Sequence, residues 1–216
     1  MELNVLEKLI RERRTIRKWK NEDVSDEMIR KGIELATWAP NGGNYQGWHF
    51  TVVKNRGTIG KMADAVQTVA DKIASWPEAA AYKADVERYQ KNTSAFRNAP
   101  VCIAVLMSQY QSVADKILIA RESFDPEARQ ILAFRRSAPT SVQSASAAIM
   151  TMLLVYQQMG LGTVWMAAPL QAKAQIESLL NVPSGQSLIA LVALGVPDES
   201  PKKDRKPVDE VLTFIR

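Results

Sequence analysis

Apolar positions recur at helical spacing in two segments near the start of the chain. The first stripe predicts a helix whose periodicity stops at Thr15, and it consists of Val5, Leu6, Leu9 and Ile10. A second helix is predicted directly after Ser25, because a serine hydroxyl is a good N-cap and an apolar stripe follows it. That stripe consists of Met28, Ile29, Ile33 and Ala36.

Three other segments have the apolar pattern of strands, at residues 48–53, 101–107 and 187–195. The middle one is apolar without interruption, which is typical of a central strand covered on both faces. Residues 58–98 are predicted to be helical with a break near Trp76, and residues 110–137 to be mostly helical. The expected architecture is an α+β sandwich, in which helices cover both faces of a mostly antiparallel sheet.

A further segment, residues 144–159, is apolar on nearly all sides of a helix. Such a helix lies either in the core or in an obligate dimer interface. A short helix is predicted at 172–180, and a surface tail rich in proline follows the last strand. The length of 216 residues suits a single domain spanning 1–216.

Composition excludes several kinds of site. The chain has one cysteine, Cys102, and one histidine, His49, so one chain cannot form a zinc site of Cys and His ligands, an iron–sulfur cluster or a disulfide. No metal site is therefore expected. His49 lies in a predicted strand, and we interpret it as a packing or hydrogen-bonding residue rather than a catalytic base.

The net charge of +5 is a mild excess without a concentrated basic patch, so a nucleic-acid partner is not expected. No run of eighteen apolar residues occurs, and the N-terminus lacks a signal pattern, so neither a membrane span nor a membrane partner is expected. The expected location is the cytoplasm, whose reducing conditions agree with the single cysteine.

The first candidate binding segment is Arg13-Arg14-Thr15-Ile16-Arg17, where the first helix passes into extended chain. Alternate side chains of an extended segment share a face, so Arg13, Thr15 and Arg17 can converge. Arginine binds phosphate through paired hydrogen bonds, and threonine adds a hydroxyl donor. The alternative is a solvated basic helix end.

The second candidate is the loop from Ala39 to Trp48, in which asparagine and glutamine side chains alternate with glycines. Such a loop can bind a planar heterocycle through amide groups and exposed backbone, or it can be a plain turn between helix and strand. A third candidate, Gly160–Pro169, combines glycines with small residues that leave room for a ligand. Lys203 and Arg205 form a fourth, and the alternative for them is a bare basic tail.

In this order, the four segments resemble the nitroreductase superfamily of FMN enzymes. The chain has Arg13-Arg14-Thr15-Ile16-Arg17 where that family has R-R-S-x-R, and Ala39-Pro40 with Tyr45-Gln46-Gly47-Trp48 resembles its AP/SP-S-x-x-N-x-Q-P-W signature. Gly160–Trp165 is similar to its G-L-G-x-x-W segment. Gly195-Val196-Pro197, followed by Lys203 and Arg205, is similar to its G-x-P … K-x-R-x-P close.

The resemblance implies an intertwined homodimer with FMN at the subunit interface. It implies that the FMN phosphate and ribityl chain are held by Arg13, Arg14, Thr15, Lys203 and Arg205. It places Arg17 near the N1/O2 side of the ring, and it has the ring lined by Trp165, Met166, Ala167 and Ala168. The loop that approaches FMN from the partner subunit would contribute Pro40, Asn41, Gly42, Asn44 and Gln46.

The implied activity is ping-pong transfer of a hydride from NADH or NADPH through FMN to a small-molecule acceptor. The acceptor would be a nitroaromatic, a quinone or an activated alkene, and no side chain is required as a proton donor. Similar proteins catalyse reductive dehalogenation, ring oxidation or flavin fragmentation, and a non-catalytic flavin-binding protein is a further alternative. The chain departs from the family at Asn41, Gly42 and Gly47, and the last of these is expected to loosen its turn. Residues 65–98 and 108–142 match no family pattern.

Overall fold

The computed structural model describes residues 3–216 and confirms the expected α+β architecture. The helices are α1 (Leu3–Glu12), α2 (Asp26–Ala36), α3 (Arg56–Ala74), α4 (Lys83–Thr93), α5 (Val113–Arg121), α6 (Pro126–Ser137), α7 (Thr140–Gln158) and α8 (Lys173–Leu179). The strands are β1 (Trp48–Val53), β2 (Val101–Ser108), β3 (Gly162–Met166) and β4 (Gln186–Gly195).

The sheet has the order β1-β2-β4-β3, and each neighbouring pair is antiparallel. β2 is central, as its uninterrupted apolar sequence predicted. Its side chains alternate between two cores, because successive residues of a strand point to opposite faces. Cys102, Ala104 and Leu106 face the core beneath α3 and α8, whereas Ile103 and Val105 face the core beneath α2 and α7.

The predicted helix boundaries agree with local capping. Ser25 caps α2, since its hydroxyl accepts a hydrogen bond from the backbone N–H of Met28 at 3.3 Å. The expected break near Trp76 is a short 3-10 segment, Pro77–Tyr82, between α3 and α4. The pattern did not predict β3, which pairs with β4 from Gly162 opposite Gly195 to Met166 opposite Leu191.

α7 is the buried helix that the sequence predicted, although it begins four residues earlier, at Thr140. The segment Pro126–Gln158, formed by α6 and α7, is long and apolar enough by length and composition alone to cross a membrane. The two helices are interrupted at Ala138 and Pro139, and α7 packs against α2 and the sheet. A core helix passes the same test of length and composition, so the segment is weak support for a span.

Candidate functional site

The segment after α1 is extended, as predicted, and lies against β3. Thr15 forms a parallel bridge with Thr163, and the N–H of Ile16 donates to the carbonyl of Thr163 at 2.9 Å. The indole Nε1 of Trp19 donates to the carbonyl of Gly162, also at 2.9 Å. These contacts join the first and third candidate segments, which are far apart in sequence.

The junction of these segments borders a cavity of about 610 Å³. This size suits a small-molecule or cofactor site. The cavity brings together six of the predicted residues, namely Arg17, Trp165, Met166, Ala167, Ala168 and Lys203. Four of them are consecutive, at the end of β3 and just beyond it, so one wall is formed by a single short stretch of chain.

A neighbouring cavity of about 1180 Å³ lies between α1 and the C-terminal tail. Arg13, Arg14 and Arg205 line it, and Lys203 lines both cavities. Partial burial lowers the pKa of Arg13, and the nearby positive charges of Arg205 and Arg14 lower it further. Like charges so close together repel one another, and a bound anion would relieve that repulsion.

The acidic residues Glu7 and Asp204 also line the larger cavity, and Glu7 pairs with Arg11 rather than with the cationic cluster. Within residues 3–216, no ion pair with a carboxylate involves Arg13, Arg14, Arg17, Lys203 or Arg205. A phosphate fits such a cluster chemically, because guanidinium groups bind its oxygens through charge-assisted hydrogen bonds. The residues present therefore fit a flavin whose phosphate lies beside Arg13 and whose ring lies against Trp165–Ala168.

The loop after α2 lies apart from these two cavities within one chain. Pro40 is exposed, and the loop residues Asn41, Gly42 and Gln46 line a narrow crevice beside the start of α7. Asn44 and Gln46 have left-handed backbones, with φ of 52° and 49°. Non-glycine residues seldom adopt this conformation, and it is concentrated at functional sites.

Side-chain hydrogen bonds hold this loop. The Oδ1 atom of Asn41 accepts from the N–H of Gln46 at 2.9 Å, and the Nε2 atom of Gln46 donates to Oδ1 of Asn44 at 3.1 Å. The N–H of Gly42 donates to the Ser144 hydroxyl at 3.2 Å, which ties the loop to α7. One chain therefore presents the loop as an ordered unit, and its approach to FMN in a partner stays a prediction.

Sequence reasoning missed one wall of the 610 Å³ cavity, which is formed by α4. Asp85, Arg88, Tyr89, Asn92 and Thr93 share one helical face toward the cavity. Thr93 is only 7% exposed, and its hydroxyl lacks a hydrogen-bond partner among the described residues. The helical spacing of these polar residues was the available signal, but α4 is polar on its other faces too, so the stripe did not stand out.

Tyr89 is fixed in this wall. Its hydroxyl donates to Oε1 of Gln171, and Nε2 of Gln171 donates to the carbonyl of Val66 at 3.0 Å. The two contacts link α4 to α3 and to the turn after β3. The wall is thus held in place before any ligand binds.

The single histidine and cysteine lie outside the cavities described above. His49 is exposed on β1, so the packing alternative predicted for it is wrong, whereas the hydrogen-bonding alternative stays a prediction. β1 is an edge strand, and its exposed residues are His49 and Val52. Cys102 is fully buried in β2, and burial raises the pKa of its thiol to about 12, which makes it unreactive. Residues 3–216 contain no group of three His, Cys, Asp or Glu side chains that could hold a metal.

The chain is similar to known proteins in sequence and in fold. The model of the nitroreductase family matches residues 10–196. A BluB-like flavoprotein from Clostridium difficile 630 is 32% identical, with full coverage of both chains and a TM-score of 0.84. The 4-nitrobenzoate reductase of Nocardioides sp. strain LMS-CY is 25% identical over 99% of this chain and 91% of its own length.

The fold also occurs in iodotyrosine deiodinase, whose structure was solved with FMN and 3-iodo-L-tyrosine. That chain is 22% identical, with a TM-score of 0.71 and coverage of 98% of this chain and 97% of its own. Proteins with this fold thus bind FMN and carry out different reactions. The family match spans most of the chain, so this protein belongs to the nitroreductase family.

Proposed function

We propose that this protein is an FMN-dependent oxidoreductase that takes electrons from NADH or NADPH. The main support is the cluster of Arg13, Arg14 and Arg205. These residues form no ion pair with a carboxylate among the described residues, and they lie beside a cavity large enough for a planar ring. When bound, FMN would supply the hydride chemistry that these side chains lack.

The chain's own residues bind and orient the cofactor. Arg13, Arg14, Thr15, Lys203 and Arg205 hold the phosphate end. Trp165–Ala168 form the wall against the ring. Arg17 places a permanent positive charge at that cavity, where it stabilises negative charge that develops during the reaction.

The proposed acceptors are nitroaromatics, quinones or activated alkenes, reduced with ping-pong kinetics. Reductive dehalogenation is the second candidate, because iodotyrosine deiodinase shares the fold. Steady-state assays with NADH or NADPH and either a nitroarene, a quinone or an iodinated tyrosine distinguish the two. Turnover of the iodinated compound alone would favour the second candidate.

The first expected result is that the protein purifies yellow with about one FMN per chain, because the cationic cluster needs an anion and the adjoining cavity suits a flavin ring. The measurements are the visible absorbance spectrum and chromatographic identification of the released cofactor as FMN rather than FAD. A preparation without a flavin band, in which added FMN also causes no binding signal, would refute the proposal.

The second expected result is a stable homodimer in solution. Apolar side chains that a second copy would cover are exposed on α1 and on the C-terminal tail, where Ile215 is 97% exposed. The other exposed apolar residues of these two segments include Leu3, Val5, Ile10, Val211 and Phe214. The loop Pro40–Asn44 contributes to a flavin site only if a partner brings it there. Light scattering at micromolar concentration measures the mass, and a monomer would contradict flavin sites shared between chains.

A further inference from the structure

Helix α4 forms one wall of the 610 Å³ cavity, although Thr93 is its only buried residue. Hydrogen bonds between side chains join this helix to α3. Nε2 of Gln90 donates to Oδ1 of Asp71 at 2.9 Å, and the hydroxyl of Ser94, directly after α4, donates to Oε1 of Gln67 at 2.6 Å. A helix with so little buried surface depends on a few individual contacts for its position.

One further contact joins α4 to the wall on the other side of the cavity. The Tyr89 hydroxyl donates to Oε1 of Gln171, whose Nε2 donates to the carbonyl of Val66 on α3 at 3.0 Å. Gln171 lies in the 3-10 turn Ala168–Ala172, which begins at the last residue of the ring-lining stretch Trp165–Ala168. Within residues 3–216, this is the only side-chain hydrogen bond between α4 and that turn.

The turn is compact, so a displacement of Gln171 reaches the cavity. The N–H of Leu170 donates to the carbonyl of Ala167 at 2.9 Å, and Pro169 and Ala172 are buried. Closely packed atoms transmit strain instead of absorbing it. The position of Gln171 therefore affects the position of Ala167 and Ala168, which line the cavity.

The two residues of this contact are separate from the phosphate end of the proposed site. Tyr89 lines the 610 Å³ cavity, and its hydrogen bond to Gln171 fixes the orientation of its ring there. Neither residue lines the larger cavity, which contains Arg13 and Arg205. An effect of the contact on a bound flavin should therefore be limited to the ring.

We infer that Tyr89 and Gln171 are positioning residues for the flavin ring. Their hydrogen bond holds α4 against the turn Ala168–Ala172, and this sets the shape of the ring cavity independently of the phosphate site. The inference rests on the proposed function, because it needs a flavin in this cavity. It follows that the pair contributes to the binding of flavins with and without a phosphate.

FMN and riboflavin differ only in the phosphate, so together they test this inference. The full-length apo-protein is titrated into each flavin, and fluorescence quenching gives the two dissociation constants. Tyr89→Phe removes the hydroxyl and keeps the ring. We expect it to weaken the binding of both flavins by the same factor, about threefold to tenfold, because Oε1 of Gln171 loses its donor. Arg205→Ala should instead weaken FMN binding and leave riboflavin binding within about twofold, since riboflavin has no phosphate to contact.

A second measurement reports on the surroundings of the ring. The visible circular dichroism of FMN, recorded at saturation, should change in Tyr89→Phe and stay the same in Arg205→Ala. Gln171→Leu removes both hydrogen bonds of Gln171 at similar side-chain size and should have the same consequences as Tyr89→Phe. If the two residues act through their shared hydrogen bond, the double variant binds flavin no more weakly than Gln171→Leu alone, whereas independent effects would add.

Two control variants separate this contact from a general loosening of α4 or the loss of a hydroxyl. Gln90→Ala removes one of the other links between α4 and α3 and leaves the hydrogen bond between Ser94 and Gln67 in place. Tyr82→Phe makes the same chemical change at a residue that is 65% exposed. Each should leave both dissociation constants within about twofold of the unmodified protein.

The inference would be overturned if Tyr89→Phe weakened FMN binding but not riboflavin binding, or if it had no larger effect than Tyr82→Phe. An equal effect of Gln90→Ala would mean that the general attachment of α4 matters and not this pair. Riboflavin that fails to bind an unmodified protein that binds FMN would leave the ring cavity without a measurable contribution, which also contradicts the inference. Failure of the unmodified protein to bind either flavin would instead be a failure of the proposed function.

Discussion

Replacing Tyr156 by alanine is expected to lower the free energy of unfolding by about 3–5 kcal/mol, the range found for large-to-small substitutions of buried aromatic residues. Tyr156 is fully buried on α7, and its hydroxyl donates to the carbonyl of Ile29 in α2 at 2.9 Å. Burial raises the pKa of this hydroxyl, so it stays protonated as a donor. Urea denaturation at one fixed protein concentration measures the change.

The contact between Gly32 and Tyr156 allows a second test of this packing. A Cβ atom at residue 32 would lie 2.1 Å from Cε1 of Tyr156, so Gly32→Ala should cost about 1–3 kcal/mol by overpacking. In the Tyr156→Ala background the clash is absent, and the same change should stabilise by up to about 1 kcal/mol through helix propensity. Tyr82→Ala, at a residue that is 65% exposed, is the control, with an expected change within about 0.5 kcal/mol. A Gly32→Ala effect of the same sign in both backgrounds would contradict the contact.

The sequence predicted those parts of the fold that depend on local physics. The N-cap at Ser25, the break before Pro77 and the uninterrupted apolar run of β2 are each decided within a few residues. β3 was missed because it is five residues long and begins with the glycine of a segment interpreted as ligand-binding. It is a strand because β4 and the chain at Thr15 supply its backbone partners, and both lie far from it in sequence.

The candidate site likewise contains residues that were predicted from the sequence and residues that were not. The resemblance named Arg17 and Trp165–Ala168 as neighbours, and the structure gives them one cavity. The resemblance did not name Tyr89 or Thr93. The sequence pattern did not indicate them either, because α4 is polar on its other faces as well. Nor did the resemblance name Tyr110, whose place beside Tyr45 depends on the absence of a side chain at Gly47. Such pairings come from the meeting of distant segments, and no local pattern encodes them.

The remaining prediction concerns the tail, where the default expectation is a solvated and dispensable end. Arg205 lies close enough to Arg13 for its charge to lower the pKa of that guanidinium, whereas the adjacent Lys206 is not among the causes of the shift. Arg205→Ala is therefore expected to weaken FMN binding by about tenfold to a hundredfold, through loss of a charge-assisted phosphate contact. Lys206 also lines the cavity between α1 and the tail, but it does not lower the pKa of Arg13, so Lys206→Ala should act only through screened electrostatics and change the affinity by less than about twofold.

The comparison is controlled for net charge, because each variant removes one positive charge from neighbouring positions of the same exposed segment. Apo-protein is titrated into FMN, and the quenching of flavin fluorescence gives the dissociation constant of each variant. The measurement is repeated at two salt concentrations. If Arg205 contacts the phosphate directly, Arg205→Ala should weaken FMN binding at high salt as well. If the tail acts only by general attraction, the effect of the substitution should shrink as salt screens the charge. Equal effects of the two variants would mean that the tail acts through its overall charge, and Arg205 would then have to be removed from the proposed phosphate site.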